Sequence, residues 1–384
     1  MFNGQIIAGI PVSLTGQFKV QGRQALQGLE AWSNWINQKG GIWVAELGVK
    51  IQVAIRYYDD CSLPAKTREI TRQLLLEDRV DLLFGPYASS LSLASAEVVD
   101  SHGGLMWNQG GASDEIHEKK YSRVVSILSP ASTYLLGLPH LVKELHPEAP
   151  RLALAHASSG AFSKMVSDGM EREAFRLGFE TVMKLEFSVE TRDFTPVINE
   201  VEQSRPDLLL GVGRIYNDLL FAKQISQRNL DVGAIAFVAT PIQQFRNALG
   251  PNREGMLGPS QWEFLGSDLW SGYGPTSREV VTLLGCEGDE VDYPAVQSFA
   301  AGLIAQRSVE DAGTLTPESL WHAAVRLDFS TFYGRFKIDA ITGRQIGHKP
   351  VIVQWQNGEK VVVWADDIKQ NSFLFPWSSY RINL

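Results

Sequence analysis

Asp81-Leu-Leu-Phe-Gly-Pro-Tyr-Ala-Ser-Ser90 reads as a short buried strand over 82–84, a stop at Gly85-Pro86 and an amphipathic helix from about Leu91. Ser89 and Ser90 stand where residues that cap a helix start are expected. Such a start offers unpaired backbone N–H groups and a positive dipole end, which suit a small anion such as a carboxylate. Any strand-to-helix turn also needs a cap, so the segment by itself fits a purely structural role as well. Its meaning comes from its neighbours, which repeat the same strand–turn–helix unit.

Working outward, residues 5–11 form an apolar strand ending in Ser13-Leu-Thr-Gly16, and 22–37 a helix stopped by Lys39-Gly-Gly41. A strand over 50–58 leads through Asp59-Asp60-Cys61-Ser62 into a helix to about residue 77, with Pro64 in its first turn. A helix over 91–101 and a strand over 104–107 complete a βαβαβαβ series, which predicts a parallel sheet covered on both faces. The series restarts with strands at 152–157, 181–187, 207–212 and 234–239, and helices at 161–177, 194–204, 217–228 and 243–249. Two series of similar length imply two α/β lobes rather than one wide sheet.

From 258 to 275 the texture changes to Gly- and Pro-rich sequence, and helices at 293–312 and 317–325 follow without strands between them. They must pack on a sheet already made, so the chain is expected to return to the first lobe. Strands at 336–338, 349–356 and 360–364, the last two joined at Gln356-Asn-Gly-Glu359, return it to the second. The expected division is 1–128 plus 263–334 for one lobe and 129–262 plus 335–384 for the other, joined by three hinge segments. Ligands of open α/β sheets bind at the carboxyl ends of the strands.

Composition narrows the function. The chain has 384 residues, 44% of them hydrophobic, and 35 basic against 43 acidic residues for a formal net charge of −8. That length favours two domains. Without a basic stripe nucleic acid is not an expected partner. Two cysteines, Cys61 and Cys286, exclude a disulfide scaffold. No apolar run is long enough to span a membrane. The first residues enter a strand directly, as in a cytosolic protein or in one whose signal peptide is absent from this sequence.

Enzyme signatures are missing: the sequence holds no H-E-x-x-H, C-x-x-C, G-x-S-x-G or Walker A pattern. Gly211-Val-Gly213 is half of a dinucleotide fingerprint, but position 216 is Tyr. His156 is expected to be a packed histidine. Asp59 and Asp60 point to opposite faces of a strand, which suits capping or solvation better than acid–base chemistry. No metal or cofactor is expected, and the chain is not expected to be an enzyme.

The residues suited to holding a ligand lie at strand ends. In the first series they are Gln21, then Tyr87, Ser89 and Ser90, then Trp107 with Gly110, Gly111, Ala112 and Ser113, where two glycines expose the backbone to close approach. In the second they are Phe162 in Ser158-Ser-Gly-Ala-Phe162, Arg214, and Pro241 beside Thr240. Arg214 either grips a carboxylate in two contacts or pairs at the surface with Asp218. Trp107 and Trp262 either stack on a planar ligand or pack.

Taken in order, Leu14-Thr-Gly16, Asn37-Gln-Lys-Gly-Gly41, Tyr58-Asp-Asp-Cys61, Gly85-Pro-Tyr-Ala-Ser-Ser90 and Gly110-Gly-Ala-Ser113 resemble the type I periplasmic solute-binding proteins of the branched-chain amino-acid family and their amide-sensor relatives. Gly255-Met-Leu-Gly-Pro-Ser-Gln-Trp-Glu263, Tyr293-Pro-Ala-Val-Gln297 and Phe332-Tyr-Gly-Arg-Phe336 extend the resemblance along nearly the whole chain. It implies two Rossmann-like lobes closing over one small ligand in the cleft between them, and delivery of that ligand to an ABC permease by a monomer in the periplasm or outside the cell, with or without a lipid anchor. A cytosolic sensor of a small amide or acid is the alternative. The resemblance places the carboxylate-holding serine on Ser89 and an ammonium-accepting carbonyl near Gly110. It also places a loop threonine on Ala112, an aromatic residue on Arg214 or Ile215, and an ammonium-pairing acid near Pro241. Cys61 matches a disulfide cysteine whose partner position is Ala88, so that bridge is absent. Without the acid, the expected ligand is a carboxylate lacking an amine, such as an aromatic acid, or an amide.

Overall fold

The computed structural model describes residues 4–148, 150–266, 272–287, 290–365 and 368–377. Residues 267–271, inside the change of texture after 258, lie outside the described set. The chain divides into unit 1, Met1–Pro130 with Phe264–Lys349, and unit 2, Ala131–Glu263 with Pro350–Leu384.

Unit 1 opens with β1 (Ile6–Val12), α1 (Lys19–Gln38), a hairpin of β2 (Ile42–Val44) and β3 (Val49–Ile51), β4 (Val53–Asp59), α2 (Pro64–Arg72), β5 (Leu82–Phe84), α3 (Ser89–His102), β6 (Met106–Asn108), α4 (Glu115–Glu118) and β7 (Val124–Ser126). Unit 2 holds α5 (Gly137–Leu145), β8 (Arg151–Ala157), α6 (Ala161–Arg176), β9 (Glu180–Phe187), α7 (Thr195–Ser204), β10 (Leu208–Val212), α8 (Ile215–Ile225), β11 (Ala234–Phe237), α9 (Gln243–Leu249) and β12 (Leu257–Ser260). The chain re-enters unit 1 for α10 (Ser277–Leu283), α11 (Tyr293–Ala312), α12 (Pro317–Arg326) and a hairpin of β13 (Phe329–Thr331) and β14 (Gly334–Phe336). It ends in unit 2 with β15 (Val351–Gln356) and β16 (Glu359–Trp364).

The sheet of unit 1 is parallel, in the order β4-β1-β5-β6-β7. Alternation along its strands feeds two cores. Leu83 and Met106 pack with Ile70, Leu74, Ala96, Val99 and Val124 on the α2/α3 side. Their neighbours point the other way: the Phe84 ring lies 5.9 Å from that of Trp32 on α1. Helix α11 has no strand of its own and packs along α1, as expected of a helix returning to a finished sheet. Small residues allow the close crossing: a Cβ on Gly28 would stand 2.0 Å from the Ala295 carbonyl, and one on Gly302 would stand 2.2 Å from Trp32.

In unit 2 the order is β16-β15-β12-β11-β10-β8-β9, with β8 to β12 parallel and β15 and β16 added antiparallel at one edge. Its core carries a chain of rings, Phe187–Phe194 at 5.0 Å, Phe194–Phe221 stacked at 4.7 Å and Phe221–Phe237 at 5.3 Å. Leaving out the added edge, both units share one order: the second sheet strand lies outside the first, and the rest follow on its other side. The order in which strands are laid down therefore reverses between β1 and β5 in unit 1 and between β8 and β10 in unit 2, and such switch points open a crevice at the strand ends.

The structure departs from the sequence reading in two places that matter. Residues 335–349 belong to unit 1, so the third crossing falls after Lys349 rather than at 334. Phe336 pairs with Phe329 inside the local hairpin, and the segment beyond it bonds to the β7 edge, through Ser126 N–H to the Gly343 carbonyl at 3.0 Å and Gln345 Nε2 to the Ile127 carbonyl at 3.1 Å. Strand β7 was not expected: its three residues show no period, and no Gly-Pro stop follows them as one follows the equally short β5.

Candidate functional site

At the switch point of unit 1 the loop after β1 is fixed by the two carboxylates at the end of β4. Asp59 accepts from the Leu14 amide at 2.9 Å, the Thr15 hydroxyl at 2.7 Å and the Cys61 amide at 2.9 Å. Slight burial opposes ionisation, but these bonds hold its carboxyl below the usual range. Asp60, wholly buried, accepts from the Ser13 hydroxyl at 2.6 Å and the Ser62 amide at 2.8 Å, and burial raises its pKa despite them. The pair is an anchor for the loop that presents Phe18, not an acid–base couple.

The loops after β5 and β6 are tied to one another. The Ala88 amide donates to the Gly110 carbonyl at 3.1 Å, and the Ser113 amide to the Ser89 hydroxyl at 3.0 Å. Gly110 is required: a Cβ there would lie 2.3 Å from the Pro86 carbonyl oxygen and 2.6 Å from the Tyr87 Cα. Ala88 stands at the N-cap of α3 with φ of +82°, and no side chain caps the helix. This corrects the expected capping role of Ser89 and Ser90, which are instead the first residues of the helix itself. Their amides, at the start of α3, have no acceptor within the helix. Ser89 is half-buried and Ser90 exposed.

Beside this helix start stands an aromatic set. The Phe18 ring lies 6.0 Å from that of Tyr87, which lies 6.3 Å from that of Tyr293. The two tyrosine hydroxyls bond to each other, and burial pushes the Tyr87 hydroxyl up to about 12, so it stays protonated. All three rings are half-buried. Sequence reading missed Phe18 and Tyr293, which lie far from Tyr87 in the chain and meet it only because α11 packs along α1. Of the other expected residues in unit 1, Gln21 is buried on α1, Trp107 is fully buried within the sheet, and Ala112 and Ser113 are buried.

In unit 2 the expected residues lie at the ends of three strands. Phe162, half-buried after β8, meets Tyr134 edge-on at 5.7 Å. His156 is buried, its ring nitrogen 3.1 Å from the Ala157 carbonyl oxygen. Trp262 is buried. Arg214 is the exposed N-cap of α8. Of its two readings, the surface ion pair with Asp218 does not form: Asp218 is buried and accepts from the Gly213 amide at 2.7 Å and the Ala239 amide at 3.0 Å. Burial outweighs those bonds and pushes its carboxyl up to about 7.

Pro241 is buried, and its carbonyl accepts from Lys360 Nζ at 2.9 Å. Lys360 also pairs with Glu263 at 2.8 Å, both side chains less than a tenth exposed. An acid therefore does stand near the 239–242 loop, but a lysine of the same unit holds it. Nothing local in the sequence joins Glu263, Lys360 and Pro241. Cys61 and Cys286 are free. Among the described residues no group of three or more His, Cys, Asp or Glu is placed to hold a metal, and no helix is long and apolar enough to cross a membrane.

A sequence profile described as "Periplasmic binding protein" matches residues 5–360. The chain belongs to the periplasmic binding protein family. Solved structures agree on the fold. A solute-binding protein from R. palustris in complex with benzoate is 17% identical and superposes with a TM-score of 0.76, over 96% of this chain and 99% of that one. A leucine-binding protein from Thermotoga maritima is 16% identical at a TM-score of 0.78, over 93% and 97%. A solute-binding protein from Rhodopseudomonas palustris HaA2 in complex with p-hydroxybenzoic acid is 17% identical at 0.77, over 97% of each chain. The family read from the sequence motifs is borne out, and so is the type I periplasmic binding protein fold.

Proposed function

We propose that this periplasmic binding protein is the solute receptor of an ABC importer and that its ligand is a small aromatic carboxylate. The observation that carries the reading is the Phe18–Tyr87–Tyr293 ring set beside the start of α3, whose first amides have no acceptor within the helix. Backbone amides and the Ser89 hydroxyl suit a carboxylate, and aromatic walls suit a flat apolar body. Near the 239–242 loop the charge of Glu263 is already paired with Lys360 through one carboxylate oxygen, so a ligand ammonium would have to compete with that lysine. Leaving an ammonium unpaired in a dry site costs several kcal/mol, so an acid without an amine is favoured. The two neighbours solved with benzoate and p-hydroxybenzoic acid support the class.

The protein binds without chemical conversion, works as a monomer outside the cytoplasmic membrane, with or without a lipid anchor, and hands its ligand to the permease subunits. Calorimetric titration with benzoate, 4-hydroxybenzoate, leucine and a short-chain amide tests the reading. Micromolar or tighter binding of a benzoate, and weaker binding of leucine, is expected. Tight leucine binding with no response to either benzoate would overturn it.

A further inference from the structure

The loops of unit 1 that hold the candidate site are fastened by a buried polar chain. Gln109 follows β6 immediately and is fully buried; its Nε2 donates to the Gly85 carbonyl at 2.8 Å, at the start of the other loop. Its own backbone carbonyl, one residue before Gly110, accepts from Nε2 of Gln297 on α11, which is also fully buried. Gln297 Oε1 accepts from the Tyr333 hydroxyl at 2.7 Å. Both ends of the Gln297 amide are therefore used, and its orientation is fixed by chemistry: a carbonyl can only accept, so the nitrogen must face Gln109. The Tyr333 ring stacks on His348 at 4.5 Å, and the His348 carbonyl accepts from the Ser129 hydroxyl at 3.0 Å. Ser129 and His348 stand next to last before two of the points where the chain passes into unit 2, after Pro130 and after Lys349.

Helix α11 reaches both loops with residues one turn apart. Tyr293 meets Tyr87 in the loop after β5, and Gln297 meets Gln109 in the loop after β6. Positions four apart share a helix face, so α11 acts as a rigid bar behind the pair of loops.

We propose that Gln297 and Tyr333 are positioning residues that set the 109–113 loop for ligand and couple its geometry to the 345–348 segment. Asn108 braces Gly111 from within the loop and the β5 loop holds Gly110 and Ser113, but the Gln297 bond is the one that ties the Gln109 carbonyl to α11. Without the Gln297 bond the Gln109 carbonyl is left unpaired in the interior, and the loop must shift or open to satisfy it. Tyr333 acts one step back: its hydroxyl keeps Oε1 of Gln297 occupied and the amide from turning over. The part of the inference that concerns affinity rests on the ligand reading above; the part that concerns loop order does not.

Two variants of the full chain test it. Tyr333→Phe removes one hydrogen bond and keeps the ring on His348, and Gln297→Met removes the amide at similar volume. Hydrogen exchange on the ligand-free protein is expected to quicken by about five-fold or more at amides 109–113 and 345–348 in both variants, while the strands of unit 2 keep their protection. Benzoate affinity is expected to weaken by about five-fold, with the double variant no worse than Gln297→Met alone, because the two residues act in series. Unchanged exchange at 109–113 in both variants, or losses of affinity that add, would overturn the proposal. If the wild-type chain binds no benzoate the ligand reading fails, and the exchange experiment still decides this one.

Discussion

Replacing Gly110 by alanine is the sharpest test of the unit 1 site. The added methyl would lie 2.3 Å from the Pro86 carbonyl oxygen, 2.6 Å from the Tyr87 Cα and 3.0 Å from the Pro86 carbonyl carbon. All three are backbone atoms, so no side chain can rotate away. Ordinary contact begins near 3.4 Å, and the two loops must part by about 1 Å, as far as a close-packed interior resists moving. That separation strains the Ala88 amide to Gly110 carbonyl bond and the Ser113 amide to Ser89 hydroxyl bond together. Overpacking of this kind costs about 1–3 kcal/mol. If the ligand is held by these loops in their native spacing, as proposed, the same range reads as roughly five-fold to a hundred-fold weaker binding. Gly104→Ala serves as the control in the same unit, since its nearest contacts are the movable tips of Leu75, at 3.2 and 3.5 Å. Calorimetry with benzoate and a thermal melt would be run on both variants. Gly110→Ala binding within two-fold of wild type, at an unchanged melting temperature, would refute the account of these loops as a matched pair.

If Ser89 holds the ligand as proposed, Ser89→Ala should weaken benzoate binding by about ten-fold or more, because it removes that contact and the bond from the Ser113 amide; equal affinities by calorimetry would remove Ser89 from the site. Lys360→Met should destabilise unit 2 by about 3–5 kcal/mol in urea melts, since it leaves Glu263 charged and buried, and adding Glu263→Gln should recover much of the loss. A single variant as stable as wild type would show that the pair is not an energetic unit. Asp218 should give unit 2 a characteristic pH dependence. Its native carboxyl keeps a proton up to about 7 against 3.8 ordinarily, so between those values the folded state binds more protons and stability falls as pH rises. Urea melts from pH 4.5 to 8.5 should show that slope in wild type and a shallower one in Asp218→Asn; parallel curves would contradict the raised pKa.

Much of the fold was legible because it rests on short-range regularity. Alternation and helical periodicity located nearly every long element, Pro64 marked a helix start, and the doubled βα series gave two units. What failed had no local signal. Strand β7 is short and lacks a stop signal, and segment 335–349 looks strand-like but is claimed by the Ser126 amide, by the Ile127 carbonyl and by the β13 hairpin. The start of α3 misled for a different reason. Two serines before an apolar run read as caps, yet Ala88 takes the cap position at φ +82°, since its amide is held by the Gly110 carbonyl. A long-range bond set the local conformation there.

Arg214 and Asp218 show how magnitudes sort such cases. Their spacing in the sequence invites an ion pair one helical turn apart, and an exposed pair of that kind contributes about 0–1 kcal/mol. Asp218 has another choice that only the assembled sheet presents. The ends of β10 and β11 leave the Gly213 and Ala239 amides pointing into the interior, where each would cost about 1–3 kcal/mol without an acceptor. Turning the carboxyl inward satisfies both at once, and its raised pKa shows that burial opposes ionisation there. Arg214 is then left exposed at the head of α8. The same reasoning applies to Asp59, which holds the loop before Phe18, and to Gln297 behind Gln109. In each case a polar side chain serves backbone groups that become neighbours only on folding, so the residues that shape the site loops are those whose partners the sequence least reveals.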